Sequence, residues 1–108
     1  MQDNAFTPFG PTYRVSGTPV QVLTTNNQNP TAYRVRNVLA AVSFLTWAPP
    51  LPSGNAPTIS SAAPVIGVPS VNTVGMVASS VEVFCLPPKA WFSSGSGDAF
   101  EVTAGEGI

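Results

Sequence analysis

The residues that most often carry chemistry in a small protein are scarce in this chain. It contains no histidine and a single cysteine, Cys85. Without an imidazole neither a Ser-His-Asp nor a Cys-His nucleophile can be assembled, and the commonest general base and metal ligand is missing. Glu82 and Glu101 fall within β-branched runs and could in principle flank a glycosidic bond. Nothing else in the sequence builds a sugar cleft, and single outward glutamates are ordinary strand solubilisers. Asp98, Glu101 and Glu106 lack the ligand spacing of a calcium loop and read as solvated carboxylates. The glycines of SSGSGD, Ser93 to Asp98, have neither a Walker lysine nor a following helix, so a turn explains them better than a phosphate loop. Cys85 has Val81 and Val83 as strand face-mates and Lys89 as its near cation, which reads as a buried, inert thiol. The expectation is a protein that is not an enzyme, with no catalytic, cofactor-binding or metal-binding residues and no small-molecule substrate.

The elements around these residues are those of one domain. At 108 residues the chain can build a single core, and 44% hydrophobic residues are ample for it. Charged residues make up 8%, where roughly 25% is usual for soluble domains. From Asn37 to Val81 there is no Asp, Glu, Lys or Arg at all. Such a segment has little charge to keep its surface apart from other proteins. Net charge is −1, and the four basic residues, Arg14, Arg34, Arg36 and Lys89, form no run, which argues against nucleic-acid binding.

The best candidate for a membrane span, Val38 to Ala48, is far short of the ~20 apolar residues a bilayer requires and is stopped by Pro49, Pro50 and Pro52. No basic segment precedes an apolar one at the start, so no secretory signal is expected, and Met1 reads as the start of the chain as translated. One cysteine excludes an internal disulfide framework and fits synthesis in a reducing compartment. Asn29 is not a glycosylation acceptor, because Pro30 follows it.

Helical periodicity is absent, while short β-branched and aromatic runs recur between Pro, Gly, Asn and Ser clusters. The chain reads as all-β, an antiparallel β-sandwich or jelly-roll-like barrel of about eight short strands. Strands are expected at 13–15, 19–25, 32–37, 42–48, 65–68, 74–78, 80–86, 90–92 and 99–103. In AYRVRN, alternation places Tyr33, Val35 and Asn37 on one face and Arg34 and Arg36 on the other. SVEVFCL puts Val81, Val83 and Cys85 on one face and Glu82, Phe84 and Leu86 on the other, with apolar bulk on both, so a near-central strand is expected there.

Residues 1–12 read as an extended N-terminal arm carrying Phe6 and Phe9, and 13–108 as the β domain, with a long Pro/Ser/Ala-rich loop at about 49–70. WAPPLP, Trp47 to Pro52, resembles a polyproline ligand but reads more simply as a rigid strand exit. Trp91 and Phe92, just past Pro87 and Pro88, are either core plugs or interface anchors.

The succession FTPFGPTYRV, AYRVRN, VEVFCLPPKAWF and FEVTAGEGI resembles small virion proteins of tailed bacteriophages, in particular the decoration or cement proteins of capsids; Pro49 to Ser70 has no counterpart in it. That resemblance implies a homo-oligomer, often a trimer, made in the host cytoplasm and seated on the virion surface. There it clamps neighbouring major capsid subunits, with neither nucleic acid nor membrane as partner. It implies Arg34 and Arg36 as ion-pairing interface residues and Phe6, Phe9, Trp47, Trp91 and Phe92 as contact residues. A head-completion or tail accessory role, and a carbohydrate- or receptor-binding β-sandwich using Trp47, Trp91 and Tyr33 as platforms, are the alternatives.

Overall fold

The structure is a computed structural model that describes residues 6–25, 28–59, 66–67, 72–94 and 100–106. Eight strands and no helix appear among the described residues: β1 (Thr7–Val15), β2 (Val20–Gln21), β3 (Ala32–Asn37), β4 (Ser43–Ala48), β5 (Thr73–Met76), β6 (Val81–Cys85), β7 (Trp91–Ser94) and β8 (Phe100–Glu106). They form two antiparallel sheets of four, in the orders β1-β8-β3-β6 and β2-β7-β4-β5, and neither sheet closes on itself.

Alternation explains which faces are buried. Val15, Tyr33, Val35, Phe100, Val102 and Ala104 from the first sheet join Leu45, Met76 and Phe92 from the second in one buried cluster. Tyr33 meets Phe92 edge-on, with ring centroids 5.3 Å apart and planes at 61°, a favoured aromatic geometry. Tyr33, Val35 and Asn37 share the inward face as the sequence pattern requires, and Arg34 and Arg36 are exposed on the other. At the end of β3 the Asn37 carboxamide is fully buried. Its Nδ2 donates to the carbonyls of Ala41, Met76 and Val77, each at 3.0 Å, and its Oδ1 accepts from the Leu39 N–H.

Several boundaries differ from those expected. β1 starts at Thr7, not Tyr13, so the second half of the expected arm is paired with β8 from the Thr7–Glu106 pair onward; the register shifts between Pro8 and Thr12. That shift, around two prolines and a glycine, is why no strand periodicity shows there. The run 19–25 contributes only Val20 and Gln21 to a ladder, although Val22 is buried and donates its N–H to the Ala90 carbonyl. Ile66 and Gly67 form a turn, and the rest of the expected strand 65–68 lies outside the described residues, as do 95–98 of SSGSGD. After β4, the segment 49–59 carries no strand, consistent with a strand exit at Pro49.

Candidate functional site

β6 is an edge strand, where the apolar character of both its faces led us to expect a near-central one. Its ladder with β3 pairs Tyr33 with Phe84 and Val35 with Glu82. Beyond the strand ends, the Leu86 N–H donates to Thr31 and the Asn37 N–H to Ser80. Even-numbered residues therefore turn their backbone groups toward β3, and the N–H and C=O groups of Val81, Val83 and Cys85 point away from the sheet. The neighbouring edge of the other sheet is β5. Between the two edges lies a cleft of about 280 Å³ lined by Leu45, Trp47, Asn72, Thr73, Val74, Phe84, Leu86 and Phe92. The bulk on the Phe84 and Leu86 face is thus the wall of an open cleft and not the covering of a central strand. The opposite side of the molecule is laced by backbone bonds: Thr25 donates to Phe9 and Ser94 to Ser16, each at 2.9 Å.

The turn after β6 is held from inside the core. The Tyr33 hydroxyl donates to the Pro87 carbonyl at 2.7 Å and accepts from the Ala90 N–H at 3.2 Å. Lys89 sits at φ 59°, a left-handed conformation uncommon for a residue with a side chain, and its carbonyl accepts from the Gln21 side chain. Burial raises the Tyr33 phenol above its ordinary 10.0, with the Ala90 and Lys89 backbone acting against the rise. The turn sends alternate residues of β7 to opposite faces. Phe92 lies at 0% exposure in the core, so it is not a surface anchor. Trp91 is half-buried on the other face, opposite Gln21 and Ala48, and its indole N–H is buried with no hydrogen-bond partner. Trp47 is half-buried in the cleft wall.

The exposed face of the first sheet gathers most of the positive charge. Arg14 and Arg36 both lie directly opposite Glu101, on β1 and β3 respectively, and Arg36 Nη1 is 3.5 Å from Glu101 Oε1. In the next row, Thr12, Thr103 and Arg34 are aligned across β1, β8 and β3, and the two threonine hydroxyls are 2.7 Å apart. A shallow depression of about 410 Å³ is lined there by Phe6, Pro8, Thr12, Arg34 and Thr103. Phe6 lies close over Gly105, and Phe9 is half-buried with its carbonyl bonded to Thr25.

The chemical candidates are placed apart. Glu82 is opposite the core residue Val35, whereas Glu101 is on the arginine face, with β3 between their strands. Two carboxylates on opposite faces of a sheet cannot flank one bond. Asp98 lies outside the described residues. Among the described residues no group of three or more His, Cys, Asp or Glu could hold a metal ion, and no helix is long and apolar enough to cross a membrane. Cys85 is exposed, where a buried thiol was expected, because it pairs with Ala32 on the face that carries the arginines, at the outer edge. Phe84, Leu86 and Val74 of the cleft, and Thr12 and Thr103 beside Arg34, were not singled out from the sequence. The alternation of β6 was the available signal for the first two, and the threonines carry none, since they meet only across strands. Comparison with protein-family models, with curated proteins and with solved structures yields no match to this chain.

Proposed function

We propose that this chain is a structural assembly subunit, a β-sandwich that decorates the head of a tailed bacteriophage by bridging major capsid subunits as a homo-oligomer, with a trimer favoured. The observation that carries the reading is the β5/β6 side, where the backbone groups of Val81, Val83 and Cys85 point away from the sheet beside an apolar cleft. Exposed sheet edges and apolar openings are liabilities in a free monomer and useful in a subunit that is covered on assembly. The charge-free run from Asn37 to Val81 includes all of β5, and Val42 and Val77 on it are 59% and 64% exposed. The Tyr33–Phe92 contact between sheets supports the sandwich arrangement. The phage setting comes from the resemblance of the sequence.

The carbohydrate-binding alternative is weakened by the same geometry. Tyr33 is fully buried with its hydroxyl engaged, so its ring offers no open platform. The test is co-sedimentation of the purified chain with shells of the major capsid protein of the same phage, together with its mass in solution. Binding in a fixed ratio to shell subunits and a mass above 11.2 kDa are expected. A chain that stays at monomer mass and remains in the supernatant overturns the proposal, and a few copies per particle would move it to a head-completion or tail role.

A further inference from the structure

We infer that the outer face of the β1-β8-β3-β6 sheet docks an acidic segment of a protein partner, with Arg34 as the cation that reads a carboxylate and Thr12, Thr103 and Phe6 shaping its seat. The inference stands on charge and register and does not depend on the virion setting.

Three of the four basic residues of the chain, Arg14, Arg34 and Arg36, lie on this one face, in a protein whose net charge is −1. The carboxylate set among them is Glu101, and it is directly opposite both Arg14 and Arg36. Arg34 stands one row away, opposite Thr103 on one side and Val83 on the other. Its guanidinium is exposed and has no ion-pair partner among the described residues. The depression beside it offers two hydroxyls as further hydrogen-bonding groups, and Phe6 and Pro8 as apolar walls for the methylenes of a glutamate. A planar guanidinium binds a carboxylate through two parallel bonds, which favours this occupant. Three arginines in two rows are too few for the multiple phosphate neutralisation on which nucleic-acid binding depends. The two arginines that the sequence offered as one pair therefore have different roles: Arg36 is engaged with Glu101 inside the chain, and Arg34 is the one presented to a partner.

The probe is a short synthetic peptide alternating alanine and glutamate, titrated into the labelled full chain and followed by NMR, with the glutamine version of the peptide and a short oligothymidylate as comparisons. The glutamate peptide is expected to shift Phe6, Thr12, Arg34 and Thr103 together and to weaken as salt is raised. Arg34→Gln should weaken it by roughly tenfold, the loss expected for one charge-assisted contact. Arg34→Lys should recover part of the affinity, and Arg36→Gln should cost less than Arg34→Gln. Equal binding of the glutamine peptide, no shift at high peptide concentration, or an unchanged affinity in Arg34→Gln each overturn the inference. Tighter binding of the oligothymidylate at the same residues would replace the acidic partner with a nucleic acid. Because Arg34 is solvent-exposed the variant keeps its fold, and a negative result leaves the cleft and the capsid-binding test untouched.

Discussion

At the scale of single residues, two buried polar side chains bind parts of the fold that no ladder connects. Asn37 donates its two amide hydrogens to the carbonyls of Met76 in β5, Val77 just past it and Ala41 in the loop after β3, and its oxygen accepts from the Leu39 N–H. Asn37→Ala leaves the buried Met76 carbonyl and the part-buried Ala41 and Val77 carbonyls without this partner, and an unsatisfied buried group costs about 1–3 kcal/mol. A total loss of about 2–4 kcal/mol is expected, seen as a lower midpoint of urea unfolding at unchanged slope. Tyr33 does the same for the Pro87–Ala90 turn, and Tyr33→Phe should cost about 1–3 kcal/mol by orphaning the Pro87 carbonyl and the Ala90 N–H. The pH dependence has a definite sign. Burial raises the folded-state phenol above 10.0, so the unfolded chain loses this proton first. The stabilising effect is complete below the unfolded value and is lost as pH rises from there through the folded value. Alkaline unfolding curves of the native chain should therefore steepen above about pH 10, and those of Tyr33→Phe should lack that component.

At the scale of elements, β1 and β6 occupy the two edges of the same sheet and are treated differently. β1 is pressed onto β8: a Cβ on Gly105 would collide with the Thr7 backbone and the Phe6 ring. Gly105→Ala should push the first half of β1 off the sheet at a cost of about 1–3 kcal/mol, with raised hydrogen exchange at residues 7–10 as the local signature. Among the described residues β6 has no such neighbour on its outer side. The Val83 N–H points away from β3, so Val83→Pro removes no bond inside the sheet and blocks any strand added at that edge. A largely unchanged thermal midpoint with reduced self-association or capsid binding is the expected result; full assembly by Val83→Pro would show that the edge is not the contact. Within the other sheet, Phe44 lies across the glycine directly opposite it, Gly75, so the ring covers a backbone that has no side chain of its own.

At the scale of the whole molecule, the two sheets share one core, and among the described residues backbone bonds lace one side while a cleft opens on the other. Phe84 packs against the core from its position in the cleft wall while remaining partly open to solvent. Phe84→Ser should therefore cost less stability than Phe92→Ala, for which removal of a fully buried ring predicts a loss of about 3–5 kcal/mol. Its effect on assembly should be the larger of the two when the folded fraction is held equal, read as mass by light scattering and as the amount bound to capsid shells. Phe84→Ser that assembles like the native chain would remove the cleft from the interface.

The strand content, the inward face of AYRVRN and the exit of β4 at Pro49 were legible in the residues themselves, because alternation and proline act over a few positions of backbone. The absence of histidine excludes those nucleophile arrangements that need an imidazole. What alternation could not tell was which strand ends a sheet. That depends on non-local pairing, and it turned β6 from an expected interior strand into an edge and Cys85 from a buried thiol into an exposed one. Phe92 became core and Trp91 the opposite face once the Tyr33 hydroxyl anchored the turn before them, a contact spanning half the chain. The separation of Arg34 from Arg36 likewise required β8, which places Glu101 opposite one and Thr103 opposite the other. Residue types set what each surface can do, and strand order across the sheets decides which of those surfaces reach solvent.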